Sequence, residues 1–310
     1  MSWRVVFLGS PEFAVPSLQR LAADERFDVA LVVSQPDRPS GRGRRLTPPP
    51  VADFATESGL PLFQPESLRD PDAFSRLESI EPDLLVVVAY GEILRRNVLQ
   101  LAPGSALNVH PSLLPKYRGA SPIAEAIRGG DPQTGVSIMK LVRRLDAGPV
   151  VAQSTIELDG HETTGSLGQR LADLAAAMLP DVCYDWLDGR LKAVDQDESA
   201  ATYTREWTKA DAAIDWNQPA VALERLVRAA LPWPVAWTAS DGQRLQVRSA
   251  AVTAAVEGTP GTILQSGKRL IVATGEHGLE LHSVQPQGKR ELLALGWWNG
   301  LQSKPDLLGI

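Results

Sequence analysis

Asn108, His110 and Asp146 put an amide, an imidazole and a carboxylate within one short region of the chain. Asn108 and His110 end the apolar stretch Leu107-Asn108-Val109-His110, and alternate residues of an extended strand share one side. Both side chains can therefore address a single atom. Transfer of an acyl group to an amine needs a stabilised oxyanion, a neutral amine and a route for protons from nucleophile to leaving group. Asn108 can donate through its amide, and His110 can donate or exchange a proton near neutral pH. Asp146 can orient the imidazole or, through water, receive the amine proton. Polar residues at strand ends also commonly satisfy nearby backbone groups, so the three residues alone leave catalysis and local capping both open.

The elements that must position them read as alternating strands and helices. Arg4 to Leu8 is a buried strand, Gly9-Ser10-Pro11-Glu12 a turn, and Pro16 to Ala23 a helix. A second strand spans Asp28 to Ser34. After a basic segment rich in glycine and proline come a helix over Val51 to Ser58, a short strand over Pro61 to Phe63 and a helix over Asp70 to Ile80. The clearest buried strand is Asp83 to Val88, followed by another over Ala106 to His110. Thr134 to Val142 and Val150 to Leu158 read as a later strand pair, and Thr164 to Leu187 as one long closing helix. This alternation predicts an α/β fold, a Rossmann-like, mostly parallel sheet with helices on both faces. Ligands of such sheets gather at the carboxyl ends of the strands, where Asn108 and His110 stand. The turn at Gly9 lacks the later glycines of a dinucleotide fingerprint, which disfavours nicotinamide binding.

The second half has a different rhythm. A helix over Ala220 to Ala229 precedes short, turn-separated strands over Val235 to Thr238, Leu245 to Arg248, Thr262 to Leu264, Arg269 to Ala273 and Leu279 to Val284. That spacing predicts a smaller β-barrel, OB-like, of a kind that often binds oligonucleotides. The expected division is a catalytic domain over 1–188, a polar linker over 189–208 and the barrel over 209–310.

Composition narrows the class. The 310 residues carry a net charge of −6, with 44% hydrophobic and 22% charged residues, ordinary for a folded chain of two domains. A polyanionic partner must then be met by local positive charge. A single cysteine, Cys183, excludes an internal disulfide and fits a reducing compartment. None of the four histidines has metal-ligand spacing beside it, so no metal is expected. The apolar run near the start is too short for a signal peptide or a membrane span, and a cytoplasmic location is expected.

The flanking residues add a resemblance. Asn108-Val109-His110-Pro111-Ser112-Leu113-Leu114-Pro115, Gly119 and Asp146-Ala147-Gly148-Pro149 together resemble the catalytic core of formyltransferases that use 10-formyltetrahydrofolate. Gly9 to Ala14, Gln35 to Gly43, Ile214-Asp215-Trp216 and Pro232-Trp233-Pro234 are similar to the methionyl-tRNA branch of that family, and the likeness runs from about Arg4 to Gly288. The resemblance implies formylation of the methionyl amine of initiator tRNA, with Asn108, His110 and Asp146 as the catalytic group. It also implies that Ser112, Leu113, Leu114 and Pro115 border the folate, and that Ala89, Tyr90, Gly91, Glu92, Ile93 and Leu94 lie beside the pterin. Two features depart from the tRNA branch: Pro111 replaces the more usual alanine, and Val142-Arg143-Arg144 replaces an acidic residue and glycine. Both resemble the purine-pathway relatives, which are single-domain proteins with a glycine-rich phosphate loop that Ser10-Pro11-Glu12 does not reproduce.

RNA binding has its own local signal. Arg38, Arg42, Arg44 and Arg45 lie in one segment bounded by prolines and opposed only by Asp37, after an early sheet strand. With Lys209 they are expected to contact phosphates, giving position more than sequence readout. Isolated charge runs are by default solvated loops, and the tryptophans of the second half are by default core. A sugar-amine formyltransferase would share the catalytic residues, and a noncatalytic RNA-binding module would share the barrel. The arginine segment disfavours the first, and the set of Asn108, His110 and Asp146 disfavours the second. Action as a monomer is expected.

Overall fold

The computed structural model describes residues 2–40, 45–254 and 256–309, with Ser40 described in its backbone only. The chain forms two compact units. The first takes 1–119, 133–156 and 168–203, and the second takes 120–132, 157–167 and 204–310.

In chain order the first unit runs β1 (Trp3–Gly9), α1 (Val15–Ala22), β2 (Phe27–Val33), β3 (Arg38–Ser40), β4 (Arg45–Thr47), α2 (Pro50–Glu57) and β5 (Leu62–Phe63). It continues through α3 (Pro71–Glu78), β6 (Leu84–Val88), α4 (Arg96–Leu99), β7 (Ala106–His110) and β8 (Arg118–Gly119). After α5 (Pro122–Gly129), which clusters with the second unit, come β9 (Gln133–Lys140), β10 (Val150–Glu157) and α6 (Thr164–Leu187). Seven strands form one sheet in the order β10, β9, β7, β6, β1, β2, β5. β1, β2, β5, β6 and β7 are parallel to their neighbours among themselves, and β9 is antiparallel to β7. The central strands are apolar without alternation because both faces are covered: Val5 to Leu8 and Leu84 to Val86 are fully buried.

Strand order reverses between β1 and β6, since the chain leaves β1 for β2 and β5 on one side and returns through β6 and β7 on the other. A crevice opens at the carboxyl ends of such a pair. Gly9 ends β1 there, and a Cβ on it would stand 2.9 Å from the Val88 carbonyl and 2.9 Å from the Phe7 ring. Only glycine lets the two strand ends come this close.

The second unit carries α7 (Ala220–Ala229), β12 (Trp237–Ser240), β13 (Gln243–Thr253), β14 (Ile263–Ser266), β15 (Arg269–Ala273), β16 (Gly278–Pro286), β17 (Leu292–Leu293) and α8 (Ala294–Asn299); the short strand β11 (Tyr203–Thr204) precedes them at the border of the units. Its antiparallel sheet has the order β12, β13, β16, β15, β14, with β17 added to β16. Register shifts between Val247 and Ala250 bulge β13 and let the sheet curl. Residues 306–309 then bridge both edges: Gly309 N–H donates to Ala239 O at 3.1 Å beside β12, and Ile263 N–H donates to Asp306 O at 3.0 Å in β14. The result is an OB-like half barrel whose open edges are covered by the chain's own end.

The bulge also explains why pattern reading stops the strand at Arg248 when β13 continues to Thr253. The two register shifts interrupt the alternation, and beyond Arg248 every residue is half-buried or exposed, so the second half no longer matches the first. Helices α5 and α8 escape pattern reading because they are short and glycine-bearing. Within the basic segment, β3 and β4 pair antiparallel, Arg38 opposite Thr47 and Ser40 opposite Arg45.

Candidate active site

β7 lies between parallel β6 and antiparallel β9, with Asn108 opposite Met139 and His110 opposite Ser137. The alternation of the strand puts the Asn108 and His110 side chains on one face. His110 is 4% exposed. Its Nε2 stands 2.9 Å from the Tyr117 carbonyl, and its Nδ1 stands 3.7 Å from Asp146 Oδ2. A carbonyl only accepts, so Nε2 carries the proton and Nδ1 of the neutral ring presents a lone pair toward the carboxylate. Gly119 N–H donates to the same Asp146 oxygen at 2.8 Å, which fixes the carboxylate beside the ring. The Asn108 amide has no hydrogen-bond partner among the described residues and remains available to a ligand.

Burial pushes the His110 pKa below 6.5; the Asp146 charge and the Tyr117 hydrogen bond oppose that shift without cancelling it. The ring is therefore neutral at neutral pH, and its share of stability is complete above 6.5 and is lost as pH falls from there through the lowered value. An NMR titration of the His110 ring is expected to show a midpoint below 6.5, and Asp146→Asn to move it lower still because a raising charge is gone. A midpoint at or above 6.5, or an upward movement in the variant, contradicts this electrostatic picture.

The loop after β7 is held from below. Ser137 Oγ donates to Ser112 O at 2.6 Å and accepts from Leu114 N–H at 3.0 Å, while Gln153 Nε2 donates to Leu114 O at 2.8 Å. Ser112 Oγ, itself buried, donates to Lys116 O at 2.6 Å. Ser112 and Leu114 thus serve the loop, and Leu113 and Pro115 remain partly exposed on it.

Ala89 to Leu94 follow β6 at the point of strand-order reversal. Ala89 and Gly91 have φ of 49° and 91°. Ser10 Oγ donates to Tyr90 O at 3.2 Å, tying the ends of β1 and β6 together. The Glu92 side chain is committed to Ser67 Oγ at 2.6 Å and Leu68 N–H at 3.0 Å, so it braces the turn and leaves ligand contacts to the backbone. Backbone N–H groups of residues 91–94 donate to nothing among the described residues, and the Tyr90 hydroxyl is buried without a partner. Unspent donors at a strand crevice fit a flat, heteroatom-rich ring such as a pterin. The exposed side chain of Ile93, at 76%, adds an apolar surface beside them.

Arg38 and Arg45 are exposed in the first unit, Arg38 reaching Gln35 Oε1 at 3.4 Å. Arg42 and Arg44 lie outside the described residues. In the second unit Lys209 is exposed, and its carbonyl accepts from the Trp237 indole at 2.7 Å. Trp297 and Trp298 are core residues, whereas Trp233 is 55% exposed. The sequence reading missed the partners that fix the ring and the carboxylate, the Tyr117 carbonyl and the Gly119 N–H. Backbone groups carry no residue signature, so nothing in the residue types at 117 and 119 announces them.

Two family models match: formyl transferase over residues 3–183, and formyl transferase, C-terminal domain, over residues 206–302. A methionyl-tRNA formyltransferase of Roseiflexus castenholzii is 47% identical over 304 residues, covering 97% of each chain. Another, of Methylococcus capsulatus, is 46% identical over 297 residues, covering 96% of each. Among solved structures, a sugar 3N-formyl transferase in the presence of dTDP and 5-N-formyl-THF aligns with a TM-score of 0.67 at 13% identity, covering 94% of this chain and all of that one. HypX from Aquifex aeolicus in complex with tetrahydrofolic acid aligns with a TM-score of 0.63 at 16% identity, covering all of this chain and 51% of that one.

Proposed function

The chain belongs to the formyl transferase family through both of its domains, and from that premise we propose how its own residues carry the transfer. It is an enzyme that moves a formyl group from formyl-tetrahydrofolate to the amino group of methionyl-tRNA. The reading assigns the chemistry to Asn108, His110 and Asp146, and the observation that carries it is the 3.7 Å approach of Asp146 to a buried, neutral His110 whose Nδ1 is free.

The bound folate supplies an activated one-carbon acyl group. Asn108 directs its amide N–H at the formyl oxygen, where negative charge grows as the amine adds. An α-amino group has a reference pKa of about 7.7 to 8.0, so part of it is neutral at physiological pH before the site acts. His110 Nδ1 accepts the proton that the amine nitrogen gives up as its bond to carbon forms. Asp146 stabilises the imidazolium, which passes that one proton on to the folate nitrogen as its bond to the formyl carbon breaks and the carbonyl re-forms. Ser112 to Pro115 and Ala89 to Leu94 hold the folate, the second segment through its backbone.

Residues 1–188 serve as the catalytic domain and 209–310 as the tRNA-binding domain, joined by 189–208. The acceptor is the initiator species, the working form is a monomer, and the location is the cytoplasm, where charged tRNA is found. Among the described residues no helix is long and apolar enough to cross a membrane. The decisive assay compares initiator methionyl-tRNA, elongator methionyl-tRNA and a sugar amine as formyl acceptors. Preference for the first is expected, and equal or better use of the sugar amine overturns this reading.

Arg38, Arg42, Arg44, Arg45 and Lys209 are assigned to tRNA phosphates. Alanine at Arg38 and Arg45 together is expected to raise the KM for tRNA severalfold while the KM for the folate stays within about twofold. The log–log salt slope of tRNA binding should fall by roughly 0.7 to 0.9 for each phosphate contact removed. Equal damage to both substrates, or an unchanged slope, counts against the assignment.

A further inference from the structure

Asp146 adopts a backbone conformation that its neighbours must enforce. Its φ is 45°, in the left-handed region that non-glycine residues seldom adopt, although aspartate tolerates it better than most. Within the loop 141–149 that carries it, the four residues before it, Val142, Arg143, Arg144 and Leu145, all face solvent, while Gly148 behind it is buried. The exposed stretch before Asp146 gives the turn no packing of its own on that side.

That support comes from residues 196–203. Gln196 Nε2 donates to the Asp146 carbonyl and to the Gly148 carbonyl, each at 2.7 Å, so one amide spans the turn. Gln196 Oε1 in turn accepts from Arg118 Nε at 3.0 Å. Arg118 is fully buried, an expensive place for a guanidinium unless its donors are met. Glu198 receives Arg118 Nη2 at 2.9 Å and Nη1 at 3.3 Å, and Tyr203 Oη receives Nη1 at 3.0 Å. The same Glu198 takes Arg144 Nη2 at 2.6 Å, clasping the catalytic loop from its solvent side. Arg118 itself directly precedes Gly119, whose N–H fixes the Asp146 carboxylate. Backbone and side chain of Asp146 are thus both anchored, one through Gln196 and one through Gly119, to a single buried arginine.

We propose that Gln196, oriented by Arg118, is a positioning residue for the transfer reaction, and that residues 196–203 of the first unit are a functional part of the catalytic site. Gln196 holds the strained Asp146 turn so that the carboxylate stays beside His110. The Glu198 bridge to Arg144 keeps the loop from opening. This role rests on Asp146 being the reacting carboxylate.

The test uses the full-length enzyme and three variants beside Asp146→Asn. Gln196→Met keeps the volume and removes the hydrogen bonds, Gln196→Ala removes both, and Asp195→Asn, on the exposed neighbour, is the control. A misplacement on the scale of an ångström can cost about 10²-fold in rate, so kcat should fall between about tenfold and a hundredfold in both Gln196 variants, with both KM values within about threefold. The His110 titration should move downward, in the direction of Asp146→Asn, because the carboxylate is no longer held against the ring. A purely structural glutamine would leave that titration where it is. Unchanged kcat, or a fall in kcat with an unmoved His110 titration, overturns the proposal, and so does failure of both Gln196 variants to fold. If Asp146→Asn keeps full turnover, the catalytic assignment fails first; full turnover in Gln196→Met beside an inactive Asp146→Asn overturns the role of Gln196 alone.

Discussion

Asp146→Asn is expected to lower kcat by roughly 10²- to 10⁴-fold, the range that a positioned acid–base group contributes, while the protein remains folded. The substitution keeps the size of the side chain and leaves an oxygen to accept from Gly119 N–H, which now lies 2.8 Å from the carboxylate. What disappears is the charge 3.7 Å from His110 Nδ1. In the resting enzyme that charge faces a bare lone pair, and its value appears only when the ring gains a proton during transfer. The interaction is therefore stronger in the transition state than in the ground state, and kcat should fall with little change in either KM. Asn108→Ala should cost roughly 10²- to 10³-fold, as the loss of one oxyanion donor does. Single-turnover formylation at saturating folate and methionyl-tRNA, with thermal unfolding measured alongside, checks both. Turnover above half of the parent's in a folded Asp146→Asn enzyme removes the carboxylate from the mechanism.

Gly148→Ala should be nearly as damaging, for a steric reason. A Cβ at Gly148 would lie 1.7 Å from the Lys140 carbonyl oxygen and 2.9 Å from its carbon. Both are backbone atoms of β9, which is pinned to β7 in the sheet, so the loop and not the strand must yield, by more than an ångström. Gly148 O is also one of the two acceptors of Gln196. Displacement therefore breaks the anchorage and moves Asp146, two residues earlier, off His110. A loss of about 10²-fold in kcat is expected, together with a lowered melting temperature. Gly296→Ala, where a Cβ meets nothing within 4 Å in helix α8, is the matched control and should be neutral or slightly stabilising. Full activity in Gly148→Ala would mean that the loop can move without disturbing the carboxylate.

The strand that carries Asn108 and His110 is legible in the sequence, because its information is local. Apolar residues at 107 and 109 with polar ones at 108 and 110 leave a strand one way to lie, with Asn108 and His110 on the same side. The parallel sheet is legible for the same reason: unbroken apolar runs at 5–8 and 84–88 suit strands covered on both faces. In the barrel, short turn-separated apolar runs predict β15 and part of β13, and the alternation of β13 fades at the register shifts around Ser249. The arginines of the basic segment were visible as charge, but not their pairing into β3 and β4.

What the sequence by itself determined is the cast: the two strand residues that share a face, the family motif that includes Asp146, and the alternation that becomes the sheet. Tertiary structure alone decided the working state of that cast. Neutrality of His110 comes from burial, its tautomer from a carbonyl seven residues away, and the turn at Asp146 from a glutamine in a polar stretch with no motif. These are properties of distance and solvent exclusion, which depend on atoms brought together from remote parts of the chain, and no local pattern of residue types encodes them.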